Sequence, residues 1–145
     1  MFERILVVCT GNICRSPVAE AFLRQQLPKC QISSAGLGAL VGKPVSSFAR
    51  QLAEADGLDV THHQARQLSD KMIQDADLIL VMTEGQRRAV GQQAPQALGK
   101  ILLLGRWLDG GEGQDIPDPY RKTKEVFEHV HSLLKEATHL WAEKL

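Results

Sequence analysis

The sequence predicts an α/β protein, a three-layer α/β/α arrangement around a four-stranded, mostly parallel open sheet. Three observations predict it. Four short apolar runs, near residues 4–9, 30–35, 78–82 and 101–104, are spaced along the chain. Longer segments with apolar side chains at helical spacing separate them, and glycines and prolines punctuate the junctions. The first and third runs are apolar without alternation, as in strands covered on both faces. Strands alternating with helices imply right-handed crossovers and a parallel sheet.

The first strand spans residues 4–9, with Ile5, Leu6, Val7 and Val8 at its heart. Ser16 is suited to cap the next helix and Pro17 to sit in its first turn. Val18, Ala19, Phe22, Leu23 and Leu27 then recur at helical spacing up to Pro28. Cys30 to Ala35 forms the second strand, and Gly36 to Lys43 a glycine-rich loop. Pro44 opens a helix with Val45, Phe48, Leu52 and Ala53 on one face, and Gly57 stops it. His62 to Leu68 is irregular or a short helix, and Ser69 caps a short helix through Ala76. Leu78 to Met82 is the third strand. Thr83 and Gln86 have the spacing of a capping box for the helix that follows. Ile101 to Leu104 is the fourth strand, residues 106–121 are loop, and a final helix runs from about Lys122 to Lys144. The whole of 1–145 reads as one domain. Ligands of such sheets bind beyond the carboxyl ends of the strands, so the loops after residues 9, 36, 83 and 105 are expected on one rim.

Composition narrows the function classes. With 17 basic and 17 acidic residues among 145, the chain has no global field to attract nucleic acid or anionic lipid. The longest apolar runs fall far short of a membrane span, and residues 1–4 lead straight into a strand without a signal-peptide pattern. Three cysteines cannot all pair within the chain, and no Cys/His cluster has zinc spacing. The simplest expectation is a cytoplasmic enzyme with reduced thiols, without metal, nucleic-acid binding or membrane insertion.

The chemistry concentrates in Cys9-Thr10-Gly11-Asn12-Ile13-Cys14-Arg15-Ser16. A thiol at a strand end, a Gly-Asn turn and a helix start make a place where an anion meets backbone N–H groups and a helix dipole. Arg15 adds a planar fork that matches two phosphate oxygens. The same positive field favours a thiolate, the nucleophilic form of cysteine, and Ser16 is placed to hydrogen-bond it. Asn12 sits where the loop turns tightly, and asparagine tolerates left-handed backbone. In the acidic 106–121 loop, Asp118 stands out because Pro117 and Pro119 hold its backbone extended and stiff.

CTGNICRSP resembles the signature of the low-molecular-weight protein tyrosine phosphatases, and Asp118-Pro119-Tyr120 resembles that family's general-acid motif. Ser33-Ser34-Ala35-Gly36 and His63-Gln64-Ala65-Arg66-Gln67 match family segments as well, so the likeness spans most of the chain. The resemblance implies catalysis by Cys9, Arg15 and Asp118 through a phosphocysteine intermediate, without cofactor. It implies phosphate binding by the loop of Thr10, Gly11, Asn12, Ile13, Cys14 and Ser16, with Asn12 tied down by Ser34 and His63; His62 is the open alternative. Tyr120 and Leu40 are implied as walls of the substrate cleft. Cys14 is implied either to form a reversible disulfide with Cys9 or to be a buried spacer.

Three departures point to the bacterial branch that acts on membrane tyrosine autokinases of capsule or exopolysaccharide assembly. The loop Gly38 to Gly42 carries no aromatic residue, Thr83 replaces a frequent acid, and Arg121 stands where many relatives have a second tyrosine. Two rival readings are weaker. An arsenate reductase on this scaffold needs later cysteines, and none follows Cys30. A non-hydrolytic phosphate-binding or phosphotransfer module has no use for both Arg15 and Asp118.

Overall fold

The computed structural model describes residues 2–145. Its sheet contains four strands, β1 (Arg4–Cys9), β2 (Gln31–Gly36), β3 (Leu78–Val81) and β4 (Ile101–Leu103), in the order β2-β1-β3-β4. Every neighbouring pair is parallel, so "mostly parallel" resolves to wholly parallel. In register, Val7 lies between Ser34 and Leu80, and Cys9 pairs with Gly36 at the carboxyl edge.

The pleat divides the core into two layers. Ile5, Val7 and Cys9, with Leu78 and Leu80, face one helical layer: α1 (Arg15–Gln26), α2 (Ser47–Ala55) and α5 (Lys124–Lys144). Leu6, Val8, Ile79 and Val81 face the other, formed by α3 (Asp70–Asp75) and α4 (Glu84–Gln93). Alternate strand residues therefore serve opposite faces, which is why the strands carry no polar alternation.

Several element ends differ from expectation for identifiable reasons. The residue preceding α1 is Cys14, and Ser16 lies inside the helix with its hydroxyl turned to Cys9 and Asn12 instead of capping. Pro44 does not open α2. The helix begins at Ser47, because Ser46 is held outside it by its N–H on the Ile13 carbonyl and its hydroxyl on the Cys14 sulfur. Ser69 and Thr123 do cap α3 and α5, accepting from the N–H groups of Met72 and Val126. Residues 95–100 form an unanticipated 3₁₀ helix, and 106–121 contains short 3₁₀ turns.

Candidate active site

The loop between β1 and α1 is held open from outside. Five successive carbonyls are each engaged by a neighbouring segment. Those of Cys9, Thr10 and Gly11 accept from the N–H groups of Leu37, Gly38 and Leu40 at 3.0, 3.0 and 3.1 Å. The Asn12 carbonyl meets His63 Nε2 at 2.7 Å, and that of Ile13 accepts from Ser46 N–H at 2.9 Å. A carbonyl only accepts, so His63 carries its proton on Nε2. With the carbonyls drawn outward, the amides of Gly11 to Cys14 donate to no protein acceptor among the described residues. This is the concave array of N–H groups that binds anions.

Gly36 permits the zipper along this loop. A Cβ there would stand 2.5 Å from the Thr10 carbonyl oxygen, so no other residue lets the wall loop approach.

Asn12, with φ of 59°, is the buried hub of a directed network. Its Oδ1 accepts from Arg66 N–H at 3.0 Å, which assigns its nitrogen as donor to Ser16 Oγ at 2.7 Å and Ser34 Oγ at 3.0 Å. Ser34 passes its own hydrogen to Glu20 at 2.6 Å. Ser16 Oγ, already accepting from Asn12, has its hydrogen free for the Cys9 sulfur 2.9 Å away. Glu20 and Arg66 were not singled out from the sequence. Arg66 lies in a recognised segment, but the network contact is through its main chain, which no side-chain pattern reports.

Arg15 is 2% exposed. Its Nη1 donates to the Ile116 carbonyl at 2.8 Å, and Nη2 lies 3.6 Å from Asp118 Oδ2. Its Nε is buried without a protein acceptor among the described residues. Asp118 is half exposed, and its other oxygen accepts the Tyr120 N–H at 3.0 Å. The acid segment is anchored just ahead of Asp118. Gly105 lets Gln114 approach so closely that a Cβ would lie 2.1 Å from the Gln114 carbonyl, and Ile116 N–H bonds the Met82 carbonyl at 2.8 Å.

Gln86 joins these parts and was read from sequence only as half of a capping box. Thr83 does cap α4 by accepting from Gln86 N–H, but the Gln86 side chain reaches past Thr83. Its oxygen accepts from Met82 N–H at 2.8 Å and its nitrogen donates to Thr10 Oγ1 at 3.1 Å. The motif was legible; its second use was not.

Cys9, Thr10, Gly11, Ile13, Cys14, Arg15, Gly38, Leu40, Asp118 and Tyr120 surround one cavity of about 120 Å³. Asn12 and Ser16 lie behind the loop, fully buried, with their side chains supporting it from outside the cavity lining. Ser34 and His63 stand in the same supporting layer. Of the two histidines, it is His63 whose ring hydrogen-bonds the Asn12 carbonyl. Two wider surface depressions, of about 610 and 520 Å³, lie away from the thiol along α1 and along α3.

Burial pushes the Cys14 thiol up to about 11, against a smaller opposing effect of the hydrogen bond with Ser46 at 3.2 Å. Cys14 is therefore a neutral thiol beside the cavity at physiological pH. All three cysteines are free.

A thiol, a buried arginine and an aspartate around an inward-facing amide loop, at the carboxyl edge of a parallel sheet, define a cysteine-dependent phosphatase. Residues 4–145 match the family described as low molecular weight phosphotyrosine protein phosphatase, and the chain belongs to it. A putative low molecular weight protein-tyrosine-phosphatase of Klebsiella pneumoniae is 46% identical over 145 residues, 100% of this chain and 99% of that protein. Among solved structures, Vibrio vulnificus Wzb in complex with benzylphosphonate superposes with a TM-score of 0.95 at 46% identity, covering 100% of both chains. The tyrosine phosphatase Wzb of Escherichia coli K30 in complex with sulphate gives 0.95 at 44% identity, covering 99% of each chain.

Among the described residues no helix is long and apolar enough to cross a membrane.

Proposed function

We propose that this protein-tyrosine-phosphatase works by two in-line displacements at phosphorus, with Cys9 as nucleophile, Arg15 as phosphate clamp and Asp118 as general acid and base. The observation that carries the reading is the outward engagement of five loop carbonyls, which leaves inward amides beside a sulfur and a guanidinium. A phosphate dianion in that cradle receives the amides of the 10–15 loop and the Arg15 fork, whose Nε then gains an acceptor.

In the first step the Cys9 sulfur forms a bond to phosphorus as the bond to the tyrosyl oxygen breaks. Asp118 gives its proton to that oxygen, so a neutral phenol leaves. In the second, water attacks phosphorus, the S–P bond breaks, and Asp118 takes the water proton. The negative charge of each transition state lies on the equatorial oxygens, where the fixed amides and Arg15 meet it without reorganising. Positive charge comes from the protein itself, so we assign no metal or cofactor. Leu40 and Tyr120 form the walls for the aromatic ring.

The direct test is hydrolysis of p-nitrophenyl phosphate without added metal, inhibited by vanadate and abolished in Cys9→Ser. Absence of turnover would move the reading to a non-hydrolytic phosphate-binding module.

We further infer a bacterial tyrosine autokinase of polysaccharide assembly as the phosphoprotein partner, met through its cytoplasmic domain, and the cytoplasm as the enzyme's compartment. The bacterial relatives and the departures at Thr83, Arg121 and residues 38–42 support this. Incubation with the phosphorylated kinase encoded in the same genome tests it by loss of phosphotyrosine signal.

A further inference from the structure

We propose that the mouth of the site selects phosphotyrosines flanked by carboxylates, reading them with Arg121, Lys122 and Lys43. The inference rests on the phosphotyrosine reading above and names the local chemistry of its substrate.

The rim carries exposed apolar side chains on both sides of the cavity. Leu40 is 39% and Val41 68% exposed on one side, and Tyr120 is 39% exposed on the other. Just outside each wall stand cations. Lys43 closes a turn with Leu40, its N–H 3.0 Å from the Leu40 carbonyl. Lys122 closes a turn with Pro119, its N–H 2.8 Å from that carbonyl. The Arg121 guanidinium lies over the Tyr120 ring, 5.2 Å from its centroid. None of these three cations has an ion-pair partner among the described residues. The one acid lining the cavity, Asp118, already faces Arg15 at 3.6 Å. In a chain with 17 basic and 17 acidic residues, the mouth is a local positive excess, not part of a global field.

Arg121 is held in an unfavourable conformation. Its φ is 61°, in the left-handed region where glycine or asparagine is at ease and arginine is not. The turn needs the backbone geometry, yet a long cation occupies it, and its side chain backs the aromatic wall. With the guanidinium over the Tyr120 ring and without an ion-pair partner among the described residues, its donors are free to fork onto a carboxylate. A phosphotyrosine ring seated between Leu40 and Tyr120 sends its flanking residues over Lys43 on one side and over Arg121 and Lys122 on the other. Glutamate or aspartate there finds unpaired cations; lysine or arginine finds repulsion.

The experiment compares two phosphotyrosyl peptides that differ only in having glutamates or glutamines on both sides of the phosphotyrosine. Exposed pairs are worth about two- to five-fold each, so kcat/KM for the acidic peptide should exceed that for its twin by about five-fold or more at low ionic strength. The ratio should shrink towards one near 0.5 M salt, an ionic strength at which exposed pairs are largely screened. In Arg121→Gly, which suits the positive φ, the ratio should fall. In the combined Lys43→Gln, Arg121→Gly, Lys122→Gln variant it should reach about one. Because the ratio is internal to each variant, a general loss of activity does not affect it. Equal turnover of both peptides by the unaltered protein would overturn the rim proposal while leaving the phosphatase reading intact. An acidic preference that persists in the combined variant would overturn it too. Turnover of p-nitrophenyl phosphate but of neither peptide would overturn both readings.

Discussion

The Asn12 side-chain nitrogen donates to the Ser16 hydroxyl at 2.7 Å, and so decides what Ser16 does with its one hydrogen. With its oxygen already accepting, the hydroxyl is left to donate to the Cys9 sulfur at 2.9 Å. A hydrogen bond to an ionised group contributes about 1.5–3 kcal/mol, so Ser16→Ala should lower kcat by about ten-fold or more. Asn12→Asp should mimic it, because a carboxylate takes the Ser16 hydrogen for itself. An unchanged kcat in Ser16→Ala would remove the serine from this role.

Asp118 is half exposed beside a buried guanidinium, which suits a group that trades protons with a substrate oxygen and with water. Asp118→Asn should lose about 100-fold in kcat on phosphotyrosine, within the usual worth of general acid catalysis. The loss should be much smaller on aryl phosphates whose leaving groups are good without protonation. Equal losses on both would point to a positioning role for Asp118.

Gln86 ties Thr10 of the nucleophile loop to Met82, whose carbonyl holds Ile116 of the acid segment. Gln86→Leu strands the buried Met82 N–H and should cost about 1–3 kcal/mol in urea unfolding. Gln86→Glu keeps the acceptor for Met82 but adds negative charge near the anion cradle. It should raise the vanadate inhibition constant several-fold while sparing stability relative to the leucine variant. If glutamate binds vanadate like the parent, the contact with Thr10 has no bearing on the loop.

Asp56, at the end of α2, accepts from His131 at 2.6 Å and Lys135 at 2.9 Å on α5. These contacts, His131 first, hold its carboxyl below the ordinary value of 3.8. Since the folded form ionises more readily than the unfolded one, the stabilisation is present above pH 3.8 and is lost as the pH falls through and below that value. Asp56→Asn should flatten this part of the acid limb of the stability curve, measured by urea midpoints between pH 5 and pH 2. A limb of unchanged slope would show that the pair contributes nothing.

Much of the fold was legible because it rests on local signals. Ile5 to Val8 and Leu78 to Met82 are buried on both faces and say so without alternation, and Gly57, Ser69 and Thr83 punctuate helices by their own backbone or side-chain chemistry. Ser16 misled for the opposite reason. Its type suits a cap, but the thiol it faces belongs to the preceding strand, and that contact outweighs local propensity. Ser46 was overlooked because its partners, Ile13 and Cys14, are more than thirty positions away.

The site divides along the same line. Sequence alone determined which groups exist: a thiol at a strand end, an arginine six positions on, and an aspartate between two prolines. Residue type and short spacing carry that information. Tertiary structure decided what each group faces. It chose His63 over His62, turned Gln86 from a cap into a bridge, and brought Asp118 to 3.6 Å from Arg15, 103 positions away along the chain. Hydrogen bonds have direction and reach of about 3 Å, so their partners are set by where the sheet register delivers each loop, which no local pattern encodes.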